Sequence, residues 1–240
     1  MSTAPAAAAL HVHERADARL RLLGAALSGA TALLLLGLAL GLLLLPLYMH
    51  PALDAAGSAG WLGVSREAAH ALSDRTVAEL LFGPGTFAFS GPDGRPFYGA
   101  AEQTHLRDVR LVLYAFLAVC AASGAALALA YGRHSRRALV WRAVGRGGAL
   151  LVAAILVVGL FALVAFELAF DLFHRILFPG GNWAFDPASQ RLVQLYPLAF
   201  WQLTAAVLGV LAASAGAGMW LIGRTRARSL EAAGEPGSRP

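Results

Sequence analysis

The chain has 240 residues, 58% of them hydrophobic and only 14% charged, where a soluble domain carries about 25% charged residues; its mean hydropathy is +0.62. That balance excludes an ordinary soluble domain. The single cysteine, Cys120, excludes a disulfide framework, a CxxC redox centre and a cysteine-ligated zinc or iron–sulfur site. All 19 basic residues are arginine and the formal charge is +5, an excess whose distribution along the chain has to decide between nucleic acid and membrane.

In chain order, residues 1–21 form an Ala-rich, arginine-bearing tail, and Leu, Ala and Gly then run almost unbroken over 22–47. No formal charge falls between Arg21 and Asp54. A helix rising 1.5 Å per residue needs about 20 residues to cross the hydrocarbon core, so 22–47 reads as a first span, too long for the apolar part of a cleaved leader. Residues 48–107 are a long connection that should carry structure of its own. Within it Ser65 N-caps one short helix, a second begins at Ser73 and stops at Gly83-Pro84, and Thr86–Ser90 with Arg95–Tyr98 suggests a small hairpin. Val77, Leu80, Leu81, Phe87 and Phe89 give this connection an apolar side, suited either to a lid or to packing.

A second span is expected at 108–131, a basic loop at 132–146, and a third span with its extension at 147–174. A second outer connection follows at 175–197, a fourth span at 198–223, and a tail at 224–240 that ends, like the N-terminus, as a disordered segment. Gly37 and Gly41, and the series Ala205, Gly209, Ala213, Ala217, suit close helix packing. The fold class is thus an all-α membrane protein with four transmembrane helices and a structured connection between spans 1 and 2. The two tails and the basic loop hold twelve of the nineteen arginines, whereas the remaining segments, roughly 48–110 and 171–191, hold seven against nine acidic residues. The positive-inside rule puts the arginine-rich segments in the cytoplasm, which makes the basic excess a topology signal and not a nucleic-acid surface; anionic lipid is a compatible secondary partner.

Two histidines stand at the outer ends of adjacent spans. Glu102, His105 and Asp108 recur at i, i+3 and i+6, and Glu167, Asp171 and His174 at i, i+4 and i+7 if the third span continues helically to Phe178. Ionisable stripes at a membrane helix end normally turn toward the bundle interior. Imidazole titrates near pH 6.5, so one ring can accept a proton while the other donates, a carboxylate holding the tautomer. The same residues also fit interfacial hydrogen bonding without chemistry, a metal held by His105, His174, Asp171 and Glu102, or bis-histidine haem ligation. His50 and His70 lack a local carboxylate pattern, and Cys120, about 22 Å along the helix from His105, is remote.

Taken together, Glu102-x-x-His105-x-x-Asp108-Val, Phe173-His174-x-x-Leu-Phe, Asn182-Trp183-x-Phe-Asp186-Pro187 and Tyr196-Pro197-x-x-Phe200-Trp201 resemble a family of four-span bacterial membrane proteins that includes the lipoprotein intramolecular transacylases, Lit. The resemblance covers roughly Leu22 to Arg224. It implies transfer of the sn-2 acyl chain of a diacylglyceryl lipoprotein to the amine of its N-terminal cysteine, at the outer leaflet of the bacterial cytoplasmic membrane, with no resident metal or cofactor. Under it, His105 takes the proton of the attacking amine with Asp108 or Glu102 behind it, and His174 serves the leaving oxygen, or the two exchange roles. Asp171 and Glu167 orient His174, and Arg107, Arg110, Arg175, Trp183, Asp186 and Glu167 are candidates to hold substrate. The other reading is a non-catalytic membrane protein that binds lipid or assists a complex.

Overall fold

The computed structural model describes residues 4–234, which are almost wholly helical. The helices are α1 (Ala4–Leu43), α2 (Pro46–Ala56), α3 (Ser58–Leu62), α4 (Arg66–Leu81), α5 (Ala100–Gly132), α6 (Arg137–Val164), α7 (Phe166–Leu177), α8 (Arg191–Leu195) and α9 (Leu198–Gly234). Four segments are long and apolar enough to cross a membrane: Asp17–Leu43, Ala100–Gly132, Arg137–Val164 and Leu198–Ala233. Their outward apolar side chains, among them Leu111, Val157, Leu163 and Val210, are heavily exposed in the protein alone, as side chains that face lipid must be. This is a multi-pass integral membrane protein.

Helical structure reaches further than the spans alone require. Only Arg133–Arg136, with one 3-10 turn, interrupts the stretch between α5 and α6, so Arg137, Arg142 and Arg146 of the expected basic loop stand on α6. The expected disordered tails are helical from Ala4 and up to Gly234; the remaining terminal residues lie outside the described part. The third span stops at Val164. Ala165 leaves the helical region (φ −141°, ψ 57°) and α7 starts anew at Phe166, where the sequence offers neither Pro nor Gly.

By packing, the chain divides into two compact units. The first comprises 1–36, 119–154 and 212–240, with a small core of Leu27, Ala130, Val140, Ala143 and Val144. Glycine sets its packing. A Cβ on Gly147 would lie 2.4 Å from the Ser28 carbonyl oxygen, and one on Gly148 2.3 Å from that of Gly216, so α6 runs backbone to backbone against α1 and α9. The expected packing stripes hold only in part: Gly37 is buried and a Cβ on Gly209 would meet Ile155 at 3.7 Å, but Ala205 and Ala217 are exposed, nothing lies within 4 Å of a Cβ on Gly41, and α9 also uses Ala212, Gly216 and Gly223. Cys120 is buried in this unit, its thiol donating to the Leu33 carbonyl at 3.4 Å.

The second unit, 37–118 and 155–211, has the larger core: Met49, Leu53, Leu62, Leu72, Phe87, Phe89, Phe97, Tyr98, Leu106, Leu195, Tyr196 and Phe200 are among its members. The long connection is therefore packing, built from α2, α3, α4 and an irregular strap. Ser65 caps α4 as expected, accepting from the Ala68 amide at 3.1 Å. No second helix starts at Ser73, because α4 runs through it and buries its hydroxyl against that of Tyr196 at 3.1 Å. Thr76 meets the Tyr98 hydroxyl at 2.8 Å. Burial pushes the Tyr196 phenol up to about 12, so both tyrosines stay neutral and bond as hydroxyls. The expected hairpin reduces to one bridge, Ser90 with Pro96. What holds this strap is Glu79, whose Oε2 accepts the amides of Gly85 (2.8 Å) and Thr86 (3.1 Å). Gly85 at φ +72° passes over the Arg110 guanidinium, where a Cβ would lie 1.9 Å from Nη1.

Candidate active site

His105 sits in the second turn of α5 and His174 near the end of α7, both within the second unit. Their ring centroids are 6.2 Å apart with 29° between planes, and their exposures are only 6% and 9%. The surround is aromatic. Phe178 and Phe185 stand edge-on to His105 at 4.9 and 5.5 Å. Phe170 and Trp183 lie 4.1 and 5.0 Å from His174, with Phe173 at 5.2 Å and Phe178 at 5.8 Å. Aromatic faces attract a cation between them by roughly 0.5–2 kcal/mol, so this enclosure excludes water yet tolerates an imidazolium or an ammonium.

The His174 tautomer follows from one bond. Its Nδ1–H donates to the Phe170 carbonyl at 2.7 Å, one helical turn back, so in the neutral ring the lone pair is on Nε2. Burial lowers its pKa from the usual imidazole value, while the Phe170 carbonyl and the Asp171 charge pull the other way. His174 is thus a neutral acceptor at neutral pH, with groups in place to steady it once protonated.

The carboxylates sit differently from expectation, and the reason is backbone demand. Glu102 is 3% exposed and gives one oxygen to the Gly99 amide (2.7 Å) and the other to the Leu192 amide (2.7 Å). It caps the start of α5 and ties it to α8; it is no partner of His105. Asp108 accepts from the Asn182 amide at 2.6 Å, and Asn182 lies within interaction range of the His105 ring. The link from Asp108 to His105 therefore passes through Asn182. His105 Nδ1 and Asn182 Oδ1 are both buried without a hydrogen-bond partner, two polar atoms held ready at the site. Asp171 pairs with Arg175 (2.6 Å) and not with His174, and Glu167 is exposed instead of turning inward. The four residues weighed as a metal set do not converge; among the described residues no three His, Cys, Asp or Glu side chains could hold an ion.

Of the substrate-holding candidates, Trp183 stands at the site against His174 and Arg107 is exposed. Arg110 is engaged elsewhere, donating to the Tyr114 hydroxyl at 2.9 Å under Gly85. Asp186 accepts from the Ala188 amide (3.0 Å) and the Ser189 hydroxyl (2.8 Å), which lowers its pKa, and so shapes its own turn. Sequence reasoning passed over Asn182, Phe170, Phe178 and Phe185 as site residues. The available signal was the density of aromatic residues around His174 and Trp183.

The family model of the lipoprotein intramolecular transacylase Lit matches residues 83–201. A protein of Aquifex aeolicus (strain VF5), described only as uncharacterised, is 28% identical over 110 residues, 45% of this chain and 48% of that protein; the match spans about half the length of that curated relative. Among solved structures, the membrane-integral lipoprotein intramolecular transacylase Lit from Bacillus cereus superimposes with a TM-score of 0.73 at 16% identity, covering 90% of this chain and 99% of that one. A histidine-to-arginine variant of the same protein gives 0.75 at 17% identity, covering 94% and 99%. At such identity the likeness is one of fold. Both histidines, Asn182 and the enclosing aromatic rings fall inside the stretch that matches the model of the lipoprotein intramolecular transacylase family, and it is this family that the chain resembles.

Proposed function

We propose that the protein is a membrane acyltransferase that moves the sn-2 acyl chain of a diacylglyceryl lipoprotein onto the α-amine of the same molecule's N-terminal cysteine. The observation that carries this reading is the pair of buried imidazoles 6.2 Å apart, one with its acceptor nitrogen defined, in a chain that resembles the transacylase family. Amine and ester belong to one substrate, so holding them in attack geometry supplies much of the acceleration. No enzyme nucleophile is needed; positioned acid–base groups suffice.

In the proposed step the neutral amine nitrogen attacks the sn-2 carbonyl carbon. His174 Nε2 takes the proton the nitrogen sheds, and the Phe170 carbonyl and Asp171 steady the resulting imidazolium. The carbon–oxygen bond to glycerol then breaks. His105 hydrogen-bonds the oxyanion, with Asn182 and Asp108 fixing its ring, and as the bond breaks the proton held on His174 passes, relayed by His105, to the leaving glycerol oxygen. The products are an N-acyl amide and a free sn-2 hydroxyl, and both imidazoles are again neutral. The defined tautomer of His174 supports this direction over the one with His105 as base. The aromatic enclosure suits the cationic amine before it loses its proton.

Arginine at the ends of the spans supports a bacterial cytoplasmic membrane location with both termini inside, which puts the histidine pair at the outer leaflet, the depth of a lipoprotein's glyceryl ester. The test is mass spectrometry of a lipoprotein N-terminus after expression in a host lacking N-acylation. The expected result is lyso-glyceryl, N-acylated cysteine. Unchanged diacylglyceryl lipoprotein in the presence of folded, inserted protein overturns the proposal in favour of a lipid-binding or complex-assisting role.

A further inference from the structure

Within the first unit, α6 and α9 leave between them a cleft of about 380 Å³ lined by Arg142, Arg146, Arg224 and Arg228, with Trp220 and Glu231. It exists because the helices touch through glycine. A Cβ on Gly223 would lie 2.4 Å from the Gly145 nitrogen, so no side chain fills the space beside that contact. Four guanidinium groups face one carboxylate there, and that carboxylate is occupied at one edge by Arg142 at 3.2 Å. Arg224 lies over the Trp220 ring at 4.8 Å, which holds its planar fork in place. Mutual repulsion of the remaining cations is a cost that an anion would relieve.

What sits beside the cleft identifies the anion. Ala149 belongs to its wall, and the next residues on the two helices, Leu150, Leu221 and Ile222, are apolar and 45–56% exposed. Charge therefore gives way to lipid-facing surface within one residue of the cleft on each helix. A soluble phosphate would use only the arginines, whereas a phospholipid would use both parts. Basic pockets between transmembrane helices on the positively charged side are suited to such headgroups, and guanidinium forks match phosphate oxygens in pairs.

We propose that this cleft is a binding site for one anionic phospholipid, its phosphodiester held by Arg146, Arg224 and Arg228 and its acyl chains lying along Leu150, Leu221 and Ile222. The proposal stands independently of the acyl-transfer reading, since none of these residues belongs to the histidine site.

The test is native mass spectrometry of the full-length protein in a non-ionic detergent, titrated with phosphatidylglycerol or phosphatidylcholine. Wild type should retain phosphatidylglycerol in clear preference, and R146Q/R224Q should bind it roughly 30-fold more weakly, from about 1 kcal/mol for each arginine removed. R95Q, an exposed arginine of the other unit, should leave binding unchanged. Should the double variant fail to fold by circular dichroism, R228Q alone should weaken binding about fivefold. Equal retention of phosphatidylcholine, unaltered binding in the folded variants, an equal loss in R95Q, or displacement of the lipid by millimolar inorganic phosphate would each overturn the proposal.

Discussion

The second unit contains two histidine pairs, and they are opposite in design. His50 on α2 and His70 on α4 stack face to face, centroids 4.2 Å apart and planes 5° apart. Each is bonded to a carboxylate: His50 Nε2 to Asp74 at 2.9 Å, His70 Nε2 to Asp54 at 2.9 Å, with Arg66 also 3.4 Å from Asp54. The bonds cross between the helices, and the groups are partly exposed, with Asp74 at 46%. His105 and His174 stand farther apart, are buried among aromatic rings, and have no carboxylate bonded to either ring. In the first pair each ring gives its Nε2 to a carboxylate of the other helix and so fastens the two helices. The second keeps nitrogen atoms unengaged in a dry enclosure, which is what a proton-transfer site requires.

That contrast gives the largest expected effect. His105→Ala and His174→Ala should each lower the rate of lyso-lipoprotein formation about 10²–10⁴-fold while the helical content of the purified protein is retained. His50→Ala and His70→Ala should leave the rate within about threefold of wild type, the loss of a fastening contact being felt in stability. Mass-spectrometric rates on all four variants decide it; a collapse of activity in His50→Ala equal to that in His174→Ala breaks the distinction.

Next in size is the enclosure itself. Trp183→Ala removes the ring 5.0 Å from His174 and admits water, and Phe178→Ala opens both histidines at once. Each should reduce the rate about tenfold or more through lost preorganisation. Asn182→Leu should act on His105 specifically, since it removes the hydrogen-bonding side chain that stands between Asp108 and that ring. Asn182→Asp places a second carboxylate 2.6 Å from Asp108 and should be worse than Asn182→Leu when the variants' rates are compared at pH 8.

These residues also mark how far sequence alone reaches. Four spans were legible because charge-free stretches of membrane length admit few alternatives, and the Ser65 cap was legible because its partner amide is three residues away. The histidine pair was legible because each ring falls at the end of a span. Its partners were not. Helical spacing set Glu102 and Asp171 beside the rings, but Glu102 answers two buried amides, Gly99 and Leu192, the latter 90 residues on, and Asp171 answers Arg175. Conversely, the carboxylates of His50 and His70 lie 24 and 16 residues away on another helix, beyond any local pattern. The break at Ala165 and the continuation of α4 through Ser73 have the same character, since packing against distant residues overrides local signals.

The pH response sharpens the comparison further. Burial lowers the His174 pKa below its usual value, so the neutral, proton-accepting ring persists below pH 6.5 and the acid limb of the rate profile should fall below that of a solvent-exposed imidazole. The sign for stability follows. The unfolded chain takes up a proton at this position near pH 6.5 before the folded one does, so His174 lowers stability as pH falls through that value, an effect that levels off once the folded ring is itself protonated. Trp183→Ala, by wetting the ring, should raise the acid limb toward pH 6.5. An acid limb unmoved in Trp183→Ala would show that another group controls it.

The smallest effect belongs to the exposed pair. Asp54→Asn and Asp74→Asn keep shape and an acceptor oxygen but remove the charge facing each imidazole. With Asp54 at 31% and Asp74 at 46% exposure, solvent screens most of the attraction, and each substitution should cost below about 1 kcal/mol. Asp54→Asn should cost more than Asp74→Asn, because Asp54 also faces Arg66. The double variant should lose more than either single one, since the two stacked rings share one contact and the sites are coupled through it. Thermal melting in detergent reads this directly: a double variant that melts with the wild type would mean that these carboxylates do not hold α2 to α4.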